Sequence, residues 1–351
     1  MPFNAEQLAY AGRHVIDYYQ KNDPIDQINV DRPLIAKLTE GKSPYAGGLQ
    51  YVVEQLRYAN DSNFQSYFGD SNVTYNRKRT IQQAKFTWGS FHDGFGLNED
   101  ELAQAGITVT DDRNSVPSDA EKFALTNLLD ENMATLKLGF QEKFDLMLHR
   151  DGTASSTDIA GLDLLISTTP TASAVIGGLN QSTYSWWQNY AKTGISTATA
   201  GNLVNEMEIA WRECTRYGGY RPDFILCGAD FLDAYRKDAG VTANRTLMVQ
   251  NGKGNTALDA STDGVYFKNV PLVWDPVFDT LQALDAPATS WKKRCYFINT
   301  KFLKLRPIKG HWQVSRTPPR VYDRYVHYWA QTSKAALTTG KRNAHAVIAI
   351  S

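Results

Sequence analysis

"SDAEKFALTNLLDENMATLKLGFQEKFDLMLHR", residues 118 to 150, is the most legible stretch of the chain. Ser118 followed by Glu121 makes a capping box, and Pro117 just before it suits a helix N-terminus. Leu125, Leu129, Met133, Leu136, Phe140, Phe144 and Met147 recur at spacings of 4, 4, 3, 4, 4 and 3, one continuous apolar stripe. Gly152 stops it. A helix from Asp119 to about Arg150 would be roughly 48 Å long at ~1.5 Å per residue. Most domain helices are about a quarter to half that length. Such a spine must bridge a broad, flat object.

The length, 351 residues, is too great for one small core, so two packed lobes with extensions are expected. Hydrophobic content of 42% and charged content of 21% fit a folded soluble protein. The 8 Trp and 18 Tyr can serve either a large aromatic core or extensive contact surfaces. Charge cancels, 37 basic against 37 acidic residues, which argues against tight binding of a nucleic-acid backbone. The runs Arg77-Lys78-Arg79 and Lys292-Lys293-Arg294 read as solvated loop or edge-strand charges. Cys214, Cys227 and Cys295 are too far apart for a disulfide framework or a zinc site, and fit a reducing compartment. With no apolar signal core and no run near ~20 apolar residues, the protein is expected to be made and assembled in the cytosol, away from membranes.

N-terminal to the spine, residues 1 to about 60 read as an arm. It holds a short helix (Glu6 to Gln20), a polar run punctuated by Pro24, Pro33 and Pro44, and a second short helix from Leu49 to Tyr58. Val73-Thr74-Tyr75 then begins a strand-like piece, and "AKFTWGSFHDGFG" (84 to 96) returns with aromatics at 86, 88, 91 and 95. Phe86 and Trp88 share a strand face by period two. A two-stranded ribbon buries too little to stand alone. Something must cover it.

C-terminal to the spine, "IAGLDLLIS" (159 to 167) reads as a strand and "TGISTATAGN" (193 to 202) as a linker. Asn202 is expected to cap a helix to Tyr217 with Leu203, Met207, Ala210, Trp211 and Cys214 on one face. "GGYRPDFILCGADFLDAYRKDAG" (218 to 240) adds an apolar strand, Phe224 to Cys227, a tight turn at Gly228 and an amphipathic helix closed by Gly240. Residues 202 to 240 thus form an α–β–α unit. Residues 251 to 264 read as an exposed loop. "VYFKNVPLVWDP" and "RCYFIN" are strands of the same lobe. From "KFLKLRPI" to "NAHAVIAI" the chain is strand-rich and returns to the first lobe. The fold class is α+β.

The pattern offers little chemistry. "GKS" at 41 to 43 lacks the glycine a phosphate-binding loop needs at position 36, which is Ala36. "FHDGFG" (91 to 96) reads as a turn rather than a catalytic site. His311, His327 and His345 lack the i, i+4 pairing of a metal site. Cys227 ends an apolar strand with no His near it in sequence. Packing is favoured over a nucleophile, which needs a base and solvent access. No catalytic, cofactor or metal residue is assigned.

The order of these elements resembles the major capsid (coat) proteins of tailed bacteriophages, whose fold is shared with herpesviruses. The pattern in series carries it: "AKFTWGSFHDGFGLNEDEL", the spine, "STYSWWQNY", "GGYRPDFILCGADFLDAYRK" and "GKRNAHAVIAI". The resemblance implies an N-terminal arm (1–60), an extended loop (61–113), a peripheral domain with the spine helix (114–197), an axial domain (198–297) and a return to the peripheral domain (298–351). It also implies self-assembly into pentamers and hexamers of an icosahedral virion shell around double-stranded DNA, with only weak, non-specific DNA contact. Scaffolding, portal and cement proteins are further partners it allows. Phe86, Trp88, Phe91, Arg77 and Arg79 are the expected intersubunit contacts. Because the chain starts at Met1 with the arm, no cleaved scaffolding segment is expected. The alternatives are a cytosolic α/β enzyme using Cys227 and a bacterial nanocompartment shell protein.

Overall fold

A computed structural model describes residues 30–47, 49–104, 107, 119–199, 201–242, 265–285, 287–316 and 325–351. In chain order, helix α1 (Pro33–Glu40) precedes strands β1 (Tyr51–Arg57), β2 (Ile81–Thr87) and β3 (Gly89–Asn98). Helix α2 (Glu99–Gln104) and the long helix α3 (Asp119–His149) follow. Next come α4 (Leu162–Leu165), β4 (Val175–Ile176), β5 (Leu179–Asn180), β6 (Tyr190–Ile195), α5 (Asn202–Arg216), β7 (Phe224–Cys227) and α6 (Ala229–Thr242). The chain closes with β8 (Tyr266–Phe267), β9 (Val270–Trp274), α7 (Val277–Leu284), β10 (Arg294–Ile298), β11 (Leu303–Pro307), β12 (Val314–Arg316), β13 (Val326–Thr339) and β14 (Ala346–Ile350). Two compact units result. One includes Ser90–Phe144 and Ile308–Lys334, the other Asp31–Gly89, Asp145–Pro307 and Ala335–Ser351.

The larger unit is built on a six-stranded sheet of order β6-β14-β10-β7-β9-β8. β7, β10 and β14 are buried along their whole length. That is why "FILC", "CYFI" and "AVIAI" read as unbroken apolar runs rather than alternating ones. Leu203, Met207, Ala210, Trp211 and Cys214 of α5 close on this sheet together with Phe231 and Tyr235 of α6. Each large apolar side chain so buried contributes roughly 1.5–3 kcal/mol. Asp238 of α6 accepts hydrogen bonds from the backbone N–H of Gly201 and Val204, so α6 caps the α5 N-terminus, with Gly201 in the N-cap position. Asn202 is instead the first helical residue, and α6 runs past Gly240 to Thr242.

At the β7–α6 turn, a Cβ on Gly228 would lie 2.3 Å from the Lys292 carbonyl oxygen. Only glycine fits there. The sheet also crosses the boundary expected at 297/298. β14 lies between β6 and β10, so the last strand completes the sheet of the α–β–α unit rather than returning wholly to the other lobe. The basic run at 292–294 departs from a solvated edge as well. Arg294 is buried on β10, 2.8 Å from Asp163.

Several local expectations change. The stretch 49–58 carries strand β1 (Tyr51–Arg57) and not a helix, because β1 pairs with β2 from Tyr51↔Thr87 to Arg57↔Ile81. Val73–Tyr75 carry no strand. Residues 159–167 hold the short helix α4 instead of a strand. Residues 31–57, expected in an arm, pack within this unit: Pro33 starts α1, whose Leu34, Ile35 and Leu38 are buried. The expected helix at Glu6 to Gln20 and the loop at 251–264 lie outside the described residues.

In the smaller unit, β12 and β3 pair with the N-terminal part of β13. "FHDGFG" is therefore part of a strand and not a turn. Phe140 and Phe144 of α3 stack with ring centroids 5.5 Å apart, and Phe91 and Trp312 meet Phe144 edge-on at 5.2 and 5.7 Å. Leu136 is buried with them and Met147, further on in α3, is half-buried. Met133 departs from the expected stripe, 37% exposed, about two turns before Phe140 and the aromatic cluster. Leu128 packs against Leu97, Leu102 and Ile107. The side chains of Leu125 and Leu129 lie outside what the structure describes.

Candidate intersubunit surface and buried ionic hub

The β1–β2 ribbon is covered from within its own unit. Val52, Leu56, Ala84 and Phe86 form its buried face. Against that face sits the β4–β5 turn. The Lys85 N–H donates to the Gly177 carbonyl at 2.9 Å, and a Cβ on Gly177 would stand 3.1 Å from Ala84 Cβ. Glu54 of β1 is held by Arg306 of β11 at 2.7 Å and by the Thr338 hydroxyl. Phe86, expected at an interface, is therefore core. Trp88 is half-buried, its indole N–H donating to the Leu49 carbonyl at 3.1 Å and its ring 5.8 Å from Tyr45. Phe91 is half-buried against Phe144. Period-two spacing put Phe86 on one face, but could not show that a small-residue turn far along the chain covers that face.

Bare apolar surface lies instead on the excursion between the two strands, residues 58–80. Its legs are tied by side chains rather than by a ladder. The Tyr58 hydroxyl donates to the Arg79 carbonyl at 2.6 Å, Asn63 to the Asn76 carbonyl at 2.7 Å, and Thr74 to Gln65 at 2.9 Å. Tyr58 also stacks on Trp186 at 5.5 Å, fixing the root of the loop. A turn at Phe68–Ser71 forms the tip. Phe64, Phe68 and Tyr75 are 93%, 92% and 88% exposed, and Tyr67 is exposed with them. Arg77 and Arg79 lie exposed on the returning leg. The signal was present in sequence as "NFQSYFGDSNVTY", aromatics among turn residues. It matches no periodic template.

A second feature, not foreseen, is a buried ionic hub at the α3 C-terminus. Nδ1 of His149 lies 2.8 Å from the Asp145 carbonyl oxygen, and Nε2 lies 2.8 Å from Asp275 Oδ2. Both nitrogens meet acceptors, so both donate and the ring is an imidazolium. Burial alone would lower its pKa. The Asp145 and Asp275 carboxylates and the hydrogen bonds to them outweigh burial and hold it at about 9. Asp145, 3.7 Å from the ring, is pushed up to about 6 because burial outweighs the imidazolium. Asp275 Oδ1 accepts from the Val277 N–H at the start of α7, and the Asp275 N–H donates to the Cys227 carbonyl at 3.1 Å. His149 thus links the end of α3, strand β7 and helix α7. A cation also suits a helix C-terminus. The i, i+4 pair Asp145–His149 in an apolar last turn was the available signal.

His345 shows the opposite state. The Asn299 N–H donates to its Nδ1, which therefore carries no proton, and burial followed by Arg342 lowers its pKa to about 3.

Cys227 has no nucleophile's environment. It is fully buried, its thiol donates to the Val273 carbonyl at 3.4 Å, and burial with the Asp275 charge pushes its pKa up to about 12. Cys214 and Cys295 are buried as well. Among the described residues no group of three or more His, Cys, Asp or Glu could hold a metal ion, and no helix is long and apolar enough to cross a membrane.

No family model matches the sequence, and no curated protein matches it. Solved structures do match over nearly the full length. The capsid of cyanophage A-1(L) aligns with a TM-score of 0.62 at 15% identity, covering 94% of this chain and 96% of that one. The capsid of Myoviridae phage XM1 gives 0.55 at 14% identity, with 95% and 98% covered. The capsid of a native GTA particle gives 0.54 at 13%, with 95% and 96% covered. The chain has the α+β capsid fold of the tailed phages.

Proposed function

We propose that the protein is the major structural subunit of an icosahedral, phage-type shell around double-stranded DNA, assembling through copies of itself into pentamers and hexamers. The fold supports this, but the observation that carries it is the 58–80 loop. Three aromatic rings stand almost wholly bare on a loop braced by its own hydrogen bonds. Aromatic side chains in that state are characteristic of surfaces that a partner covers. A heterologous contact that closes by rotation generates rings, and rings tied to one another by such loops close into a shell. In this reading a second copy covers Phe64, Phe68 and Tyr75, with Arg77 and Arg79 at the rim. Trp88 and Phe91 are half-buried within their own units, and Phe86 is core. The β6-β14-β10-β7-β9-β8 sheet with α5 and α6 is the axial domain, and α3 belongs to the peripheral domain. The place of work is the virion, and scaffolding, portal and cement proteins are the partners such a shell accommodates.

Negative-stain electron microscopy of the purified protein tests this. Shells, rings or sheets are expected; a monodisperse monomer at high concentration would overturn it. An enzyme cargo inside purified particles would favour a nanocompartment instead.

A further inference from the structure

The end of α5 carries a second surface. Residues 216–221, Arg-Tyr-Gly-Gly-Tyr-Arg, are all exposed. Two lysines from distant parts of the chain converge on the second tyrosine. Lys301 Nζ lies 4.3 Å and Lys341 Nζ 5.1 Å from the centre of the Tyr220 ring. Lys341 also donates to the Tyr217 carbonyl, and Arg216 lies 5.7 Å from the Tyr217 ring. The two nearest carboxylates in sequence are engaged: Glu213 pairs with Arg216 at 3.2 Å, and Asp223 accepts from the Thr300 N–H at 2.8 Å and from its hydroxyl. Among the described residues no carboxylate pairs with Lys301, Lys341 or Arg221. Burial pulls the Lys341 ammonium below its ordinary range with no opposing carboxylate. The Tyr220 ring holds both ammonium groups in cation–π range without neutralising them, which leaves a positive surface open to an anion.

We propose that Arg216, Tyr217, Tyr220, Arg221, Lys301 and Lys341 form a contact surface for the phosphate backbone of duplex DNA. Lysine, arginine and tyrosine hydroxyl groups are donors suited to phosphate oxygens. Four basic side chains converge here, three of them with no carboxylate partner among the described residues, and that charge favours a polyanion. The choice of duplex DNA rests on the shell reading. A few such contacts per subunit are weak and salt-sensitive, which is compatible with zero net charge over the chain.

The test is fluorescence anisotropy of a short labelled duplex with purified, unassembled subunits across a salt series. K301A/K341A is compared with wild type and with K143A/K192A, the same charge change elsewhere on the surface. If two phosphate contacts are lost, log K against log salt becomes shallower by roughly 1.8 in K301A/K341A, at ~0.9 per phosphate, and stays unchanged in K143A/K192A. Equal slopes in all three proteins would overturn the proposal. So would a wild type that binds no duplex while K301A/K341A fails to assemble, since the surface would then meet protein. Absence of shells from wild type bears on the shell reading alone, because binding is read on unassembled subunits.

Discussion

His149 Nε2 stands 2.8 Å from Asp275 Oδ2, with both side chains fully buried. A raised histidine pKa means the folded state holds a proton that the unfolded chain releases near 6.5. The stabilisation is complete below that value and is lost as pH rises through about 9. Melting temperature should therefore fall between about pH 7 and pH 9.5. In H149Q, which leaves two carboxylates without their cation, stability at pH 7 should drop by about 3–5 kcal/mol. The alkaline slope should shrink with it. An unchanged slope in H149Q would remove the hub from the account.

The thiols give a second check. With Cys227 buried and its pKa near 12, and Cys214 and Cys295 also buried, the native protein should not react with a disulfide reagent at pH 8. All three thiols should react in guanidinium. C227A should assemble as wild type does. A fast-reacting native thiol would reopen the enzyme alternative.

Arg342 is fully buried and donates only to neutral acceptors: the Leu165 and Trp187 carbonyls at 2.7 and 2.8 Å, and Gln181 and Asn189 at 3.1 and 3.0 Å. R342M would take this donor from the Leu165 and Trp187 carbonyls and Gln181 Oε1, each loss costing about 1–3 kcal/mol, while Asn189 Oδ1 keeps the Ser167 N–H. R342K should rescue little, since an ammonium cannot reproduce the planar fork. Chemical denaturation of both variants reads this directly. Near-wild-type stability in R342K would contradict it.

F140A, within the aromatic cluster on α3, should cost about 3–5 kcal/mol. M133A should cost far less, since Met133 is exposed. Similar melting temperatures for the two would contradict the burial difference.

The fold was largely legible because its longest elements are periodic. Leu136, Phe140 and Phe144 announce α3, and Leu203, Met207 and Trp211 announce α5. β1 was misread because "YVVEQLR" also fits a helix, and only its partner β2 decides between them. The candidate surface was legible in kind but misplaced. Phe86 looked sticky because its cover, the Gly177 turn, is remote in sequence. Phe64 and Phe68 looked unremarkable because a loop has no period. The hub escaped for the same reason as the ribbon's cover, since His149 and Asp275 are 126 residues apart.

Sedimentation velocity of wild type beside F64S/F68S/Y75S, under assembly conditions, tests the central claim most directly. The account predicts shell-sized particles from wild type, and from the triple variant only folded small species with an unchanged melting temperature. Shells of normal size from the variant would contradict it.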